Sequence, residues 1–77
     1  MDFSYEIKKH LGVISTNPKG WTTELNLISW NGRAPKYDLR SWDPDHEKMS
    51  KGIGLTREQI LALRKLLNQE DIGEETV

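Results

Sequence analysis

KYDLRSW (36–42), DPDHEKMS (43–50) and KGIGLT (51–56) form the stretch on which the fold turns. In the first segment Tyr37 and Leu39 fall on one face, and Lys36, Asp38, Arg40 and Trp42 on the other. Period-two alternation with aromatic and aliphatic members marks a half-buried strand. The face turned away from the core then carries Arg40 followed by Trp42. A large aromatic beside a cation on a solvated sheet face suits a ligand that is flat and negatively charged. Single-stranded nucleic acid is both, because bases stack on aromatics while phosphates pair with cations. The competing expectation is that Trp42 ends the strand and tucks into the core, as most tryptophans do.

Downstream, Asp43 to Ser50 reads as a solvated hairpin loop and Lys51–Leu55 as a short fourth strand weakened by Gly52 and Gly54. Glycines there let a backbone or ligand come close. Thr56-Arg57-Glu58-Gln59 has the form of a capping box opening a helix. Ile60, Leu61, Leu63, Leu66 and Leu67 continue it as an apolar stripe, with Arg64 and Lys65 toward its C-terminal end. The stripe is broad enough to leave surface for a partner subunit. Upstream, residues 3–14 put Phe3, Tyr5, Ile7, Leu11 and Val13 on one side and Glu6, Lys8 and His10 on the other, a long strand in which Gly12 marks a bend or bulge. Thr16 to Gly20 is turn chemistry. Residues 21–30 place Trp21, Thr23, Leu25 and Leu27 on the core face, and Glu24, Asn26, Ile28 and Trp30 opposite. Asn31-Gly32 is a tight-turn signal, lengthened by Arg33-Ala34-Pro35.

A chain of 77 residues holds one small domain with a modest core. Without cysteine it has no disulfide or thiolate metal site, and two histidines alone make a poor structural zinc site. Oligomerisation is the remaining way to enlarge the core, so a homodimer is expected. The domain is expected over residues 1–69, followed by an acidic, disordered tail over 70–77 with Glu70, Asp71, Glu74 and Glu75. Net charge is −1, but the acids concentrate in that tail, and local field matters more than total charge. Met1-Asp2-Phe3 opens no basic region followed by an apolar run, and no long apolar segment occurs. A cytoplasmic protein without a membrane partner is expected.

No enzyme constellation emerges: there is no cysteine nucleophile, G-x-S-x-G, P-loop or H-E-x-x-H. Asp38 alone on a strand is a poor magnesium site. Asp43, Asp45 and Glu47 recur at alternate positions as in a calcium loop. Lys48 then stands where that loop needs glycine, and Gly54 where it needs a bidentate glutamate. No metal, cofactor or catalytic role is expected. A binding face is. Trp30, Lys36, Arg40 and Trp42 share the even-numbered side of two strands joined by a short connection, and the first strand offers Lys8 and His10 to it. Lys51 is a further cation for the same surface, while Trp21 belongs to packing on the core side.

From Gly32 to Leu67 the chain resembles the transcriptional coactivator family called positive cofactor four, and its bacterial members of YdbC type most of all. The matching residues are Asp38, Leu39, Arg40, Trp42, Asp43, Pro44, Lys51, Gly52, Ile53, Leu55, Glu58 and Gln59. The resemblance implies an α+β fold, a four-stranded antiparallel curved sheet followed by one C-terminal helix, assembled as a homodimer. It also implies binding of single-stranded DNA on the curved sheet face. The family's stacking aromatics, just before the glycine turn and just after the D-x-R strand, correspond to Trp30 and Trp42. Its basic contacts correspond to Arg40 and to either Arg33 or Lys36. The expected function is single-stranded DNA binding, largely without sequence preference, in transcription, replication or repair. Nothing in the sequence reads a 2′-hydroxyl, so RNA is a possible partner too. The alternative is a small adaptor that docks proteins through its apolar helix or exposed tryptophans.

Overall fold

In the computed structural model, which describes residues 3–70, the chain forms β1 (Tyr5–Thr16), β2 (Thr22–Trp30), β3 (Lys36–Trp42), β4 (Ile53–Leu55) and α1 (Arg57–Gln69). The acidic tail expected from residue 70 lies, past Glu70, outside the described residues. The strands make one curved antiparallel sheet in the order β1-β2-β3-β4, as short connections favour. Among the described residues no helix is long and apolar enough to cross a membrane.

Local chemistry sets the corners. Asn31 and Gly32 both adopt positive φ, 51° and 76°, and the Arg33 N–H donates to the Trp30 carbonyl at 2.9 Å. The Asn31 side chain also accepts from the Ser4 N–H, and the Asn31 N–H donates to the Ser4 carbonyl. The start of the described chain is thereby pinned to the β2–β3 turn. At the other corner the Asn17 side chain accepts from the backbone of Lys19 and Trp21. Thr56 and Gln59 close both hydrogen bonds of the capping box. The helix runs on to Gln69, so Arg64 and Lys65, expected near its C-terminal end, fall short of its last turn, which holds no cation.

The register of β1 departs from simple alternation. Tyr5 pairs with Trp30 and Ile7 with Ile28, but the pairing then slips three times, bringing Lys9 to Leu27, His10 to Asn26, Gly12 to Leu25 and Val13 to Glu24. Directly opposed residues of an antiparallel pair point to the same side, so each bulge exchanges the faces. Tyr5, Ile7, His10 and Val13 therefore all share the even-numbered side of β2. Bulges add twist and bend, and here the sheet curls toward that side. Tyr5 lies opposite Trp30, and Trp42 opposite Thr22, eight residues or about 26 Å apart along β2. Their rings nevertheless meet, centroids 5.6 Å apart.

Burial reverses the expectation for the two faces. The buried residues, Glu24, Asn26, Ile28, Asp38 and Trp42, all sit on the concave, even-numbered side expected to be solvated. The side expected to be the core, with Leu25, Leu27 and Leu39, is only half-buried. On that side α1 lies against β3 and β4 alone, and none of its residues is buried. Leu66 is 62% and Leu67 52% exposed. A groove of about 500 Å³ runs between helix and sheet, lined by Leu11, Leu25, Tyr37, Ile60, Leu63 and Leu67 among others. The radius of gyration, 14.4 Å, exceeds the about 11 Å of a compact domain of this length.

The fourth strand starts at Ile53, not at Lys51, and Gly52 just before it is pressed against β3. A Cβ on Gly52 would lie 2.6 Å from the Arg40 Cβ and 2.7 Å from the Leu39 carbonyl oxygen, whereas one on Gly54 would meet nothing within 4 Å. Gly52→Ala is expected to cost about 1–3 kcal/mol, as overpacking does, and Gly54→Ala much less. Urea denaturation of the two variants side by side checks this; equal losses would mean the contact at Gly52 is not a constraint.

Candidate nucleic-acid interface

Strands β2 and β3 place two acids on the concave side, and each is fully engaged. Asp38 is buried and accepts two parallel bonds from Arg40, Nε to Oδ1 and Nη2 to Oδ2, both 2.7 Å. Two residues along one strand point the same way, so the D-x-R spacing itself builds this fork. The third guanidinium nitrogen donates to the Met49 sulfur at 3.2 Å and the Ser50 carbonyl at 3.3 Å. The guanidinium also lies over the Trp30 ring, 4.6 Å from its centroid.

Glu24 is the second acid. Its Oε2 accepts from the Thr22 hydroxyl at 2.6 Å, and its Oε1 from the Asn26 amide at 3.1 Å and His46 Nε2 at 3.0 Å. The Asn26 carbonyl oxygen accepts from His10 Nδ1 at 2.7 Å. Both imidazoles face acceptors, so His46 carries its proton on Nε2 and His10 on Nδ1. Burial alone would raise the Glu24 pKa, but the bonds from Thr22, His46 and Asn26 outweigh it and hold the carboxyl below its ordinary value.

Aromatic rings line the same concavity in a continuous row. Phe3 is 5.7 Å and Tyr5 5.6 Å from Trp30, Tyr5 reaches Trp42, and His46 lies flat on Trp42 with centroids 4.1 Å apart and planes within 3°. His46 reaches this place from the tip of the 43–50 loop, which closes through a Trp42–Met49 bridge and a bond from the Ser50 N–H to the Ser41 carbonyl. The Asp43 carboxylate accepts from the backbone N–H groups of Glu47 and Lys48. These bonds keep Asp43 below the ordinary aspartate range.

The residues expected at the interface fall into three groups. Trp30 is half-buried, within the aromatic row. Arg33, Lys36 and Lys51 are exposed, and no ion pair engages them among the described residues. Lys36 stands on the concave face opposite Ile28. Lys8 is in the first bulge of β1 and pairs with Glu6 at 3.4 Å. Two expectations are corrected. Arg40 is not a free cation, because its side chain is 16% exposed and forked onto Asp38. Trp42 is not an open stacking platform, because it is 0% exposed beneath His46 and Tyr5, as the competing core expectation had it. Phe3, Tyr5, His46 and Glu24 were missed. The bulges that bring Tyr5 round have only Gly12 as a sequence signal, and His46 joins through a loop fold with no signature.

The lowered Glu24 pKa has a definite pH consequence. The unfolded chain takes up a proton at this group near pH 4.5, while the folded protein resists it. Stability from Glu24 is thus complete above that pH and lost as pH falls through the lower folded value. Glu24→Gln is expected to be less stable at neutral pH and to lose stability less steeply below pH 4.5, the remaining slope including Asp43. Urea midpoints from acid to neutral pH test this; parallel curves for the two proteins would refute it.

A profile described as Transcriptional Coactivator p15 (PC4) matches residues 17–66, which span β2, β3, the 43–50 loop, β4 and most of α1. A protein of Treponema pallidum (strain Nichols), described as uncharacterized, is 57% identical over 67 residues, 87% of this chain and 79% of the relative. The matched segment contains both buried acids and all their side-chain hydrogen-bond partners, Thr22, Asn26, His46 and Arg40: this chain belongs to the transcriptional coactivator p15 (PC4) family.

Proposed function

We propose that the protein binds single-stranded DNA on the concave face of its sheet, largely without sequence preference, during transcription, replication or repair. The observation that carries this reading is the row of accessible rings Phe3, Trp30 and Tyr5, flanked by the exposed cations Arg33, Lys36 and Lys51. Family membership supports it. Stacking tolerates any base because every base has a π-face, and the cations meet the phosphates. The same chemistry accommodates RNA. Arg40 acts by holding the Trp30 ring and neutralising Asp38. In this reading the protein works in the cytoplasm, without a cofactor and without catalysis of its own.

The working unit is a homodimer. The half-buried leucine side of the sheet and the uncovered stripe of α1 form one apolar surface, and a second copy of that surface would complete the core. Leu63→Asp or Leu67→Asp is expected to give a less stable monomer by sedimentation equilibrium. A wild-type chain that stays monomeric and folded at micromolar concentration would rule the dimer out.

Tryptophan fluorescence titrated with oligo-dT tests the binding. Quenching is expected with the single strand and much less with a duplex. The three cations assigned to this face, Arg33, Lys36 and Lys51, predict a log–log salt slope of roughly −2 per protomer, made shallower by about 0.7 in Lys36→Ala. Trp30→Ala should weaken binding by about 1–3 kcal/mol, and the loss should persist at high salt because stacking releases no counterions. An unchanged fluorescence signal together with no retention on oligo-dT would refute the reading.

A further inference from the structure

We propose that the space over Trp42 now filled by the His46 ring is a base slot selective for guanine, with Glu24 as the group that reads the base. This rests on the single-strand reading of the concave face and gives one position of the bound strand an identity.

The present occupant shows what the slot accepts. His46 is a planar heteroaromatic ring, stacked within 3° on the indole, with a ring N–H aimed at the Glu24 carboxylate 3.0 Å away. A nucleobase has the same two attributes. The occupant is also partly open to solvent: its side chain is 38% exposed, at the tip of a loop, on a residue with φ of 59°. A non-glycine residue holds such a φ only at a cost.

The choice among bases follows from hydrogen-bond polarity. An ionised carboxylate only accepts, and in the structure the bonds from Thr22, His46 and Asn26 outweigh burial and hold Glu24 below its ordinary pKa. On its Watson–Crick edge guanine presents two adjacent donors, N1–H and the N2 amino group, which match the two carboxylate oxygens. Thymine has one N–H between two carbonyls that would face the carboxylate. Adenine and cytosine each place a ring-nitrogen acceptor beside their amino donor. Glu24 has the capacity: each oxygen offers two acceptor sites, and without His46 only Thr22 occupies Oε2 and only Asn26 occupies Oε1. His10 Nδ1 lies 3.8 Å from Oε1, the other imidazole near it. The buried Trp42 Nε1 has no acceptor among the described residues.

The experiment compares short oligo-dT with the same strand carrying one central dG, inosine, dA or dC, in competition against labelled oligo-dT. The full-length wild-type protein is used together with His46→Gly, which suits the left-handed backbone and removes the occupant. A carboxylate paired with two donors predicts that the dG strand binds about 5- to 150-fold tighter than the dA or dC strand. Inosine, which keeps N1–H and lacks the amino group, should fall between. His46→Gly should bind the dG strand more tightly still, with circular dichroism confirming its fold. Equal affinity for all strands in both proteins would overturn the slot and leave single-strand binding standing. Failure of every strand to bind would remove both.

Discussion

Two carboxylates, Glu24 and Asp38, are buried on neighbouring strands of one sheet face, and neither can remain there without partners. An unpaired buried charge costs several kcal/mol, so the chain around them is arranged to supply donors. Asp38 takes a bidentate guanidinium from its own strand. Glu24 takes a hydroxyl from its own strand, an amide two residues on, and an imidazole from a distant loop. That last partner comes from the 43–50 loop, which lies back over the sheet. With the loop comes the ring that covers Trp42. The polar network and the aromatic row are thus one construction.

This construction explains a division of labour between the two faces. The concave face closes on itself, because three bulges curl β1 toward it and its acids are satisfied internally. The opposite face cannot close: α1 touches only β3 and β4, and its leucines stay uncovered. A domain of this size has little apolar surface to hold itself together. What the single chain leaves open is the apolar stripe of α1. The concave face is therefore finished within the single chain, while the other side keeps apolar surface uncovered.

Arg40 illustrates how position alters chemistry. In sequence it is a cation beside an aromatic. In the fold its charge is spent on Asp38, its plane rests on Trp30, and its flank leaves no room for a side chain on residue 52. A guanidinium so held is a spacer as much as a charge, which suits a surface where rings must keep fixed separations. The exposed Arg33, Lys36 and Lys51 keep their charge available to solvent.

The sequence by itself determined the element order, because the signals for it are local: alternation at 36–42, the Asn31-Gly32 turn, the capping box from Thr56 to Gln59, and the helical stripe after it. It also marked Trp30 and Lys36 as belonging to one sheet face, since strand period and a short connection suffice for that. It did not determine which face would be buried. That depends on slips in the β1 register, and a bulge is an agreement between two strands that neither strand spells out alone. Nor did it tell a free arginine from a forked one, or an open tryptophan from one beneath a histidine. Those outcomes were decided by contacts such as Glu24 with His46, 22 residues apart, which exist only after the sheet has curled and the loop has closed over it.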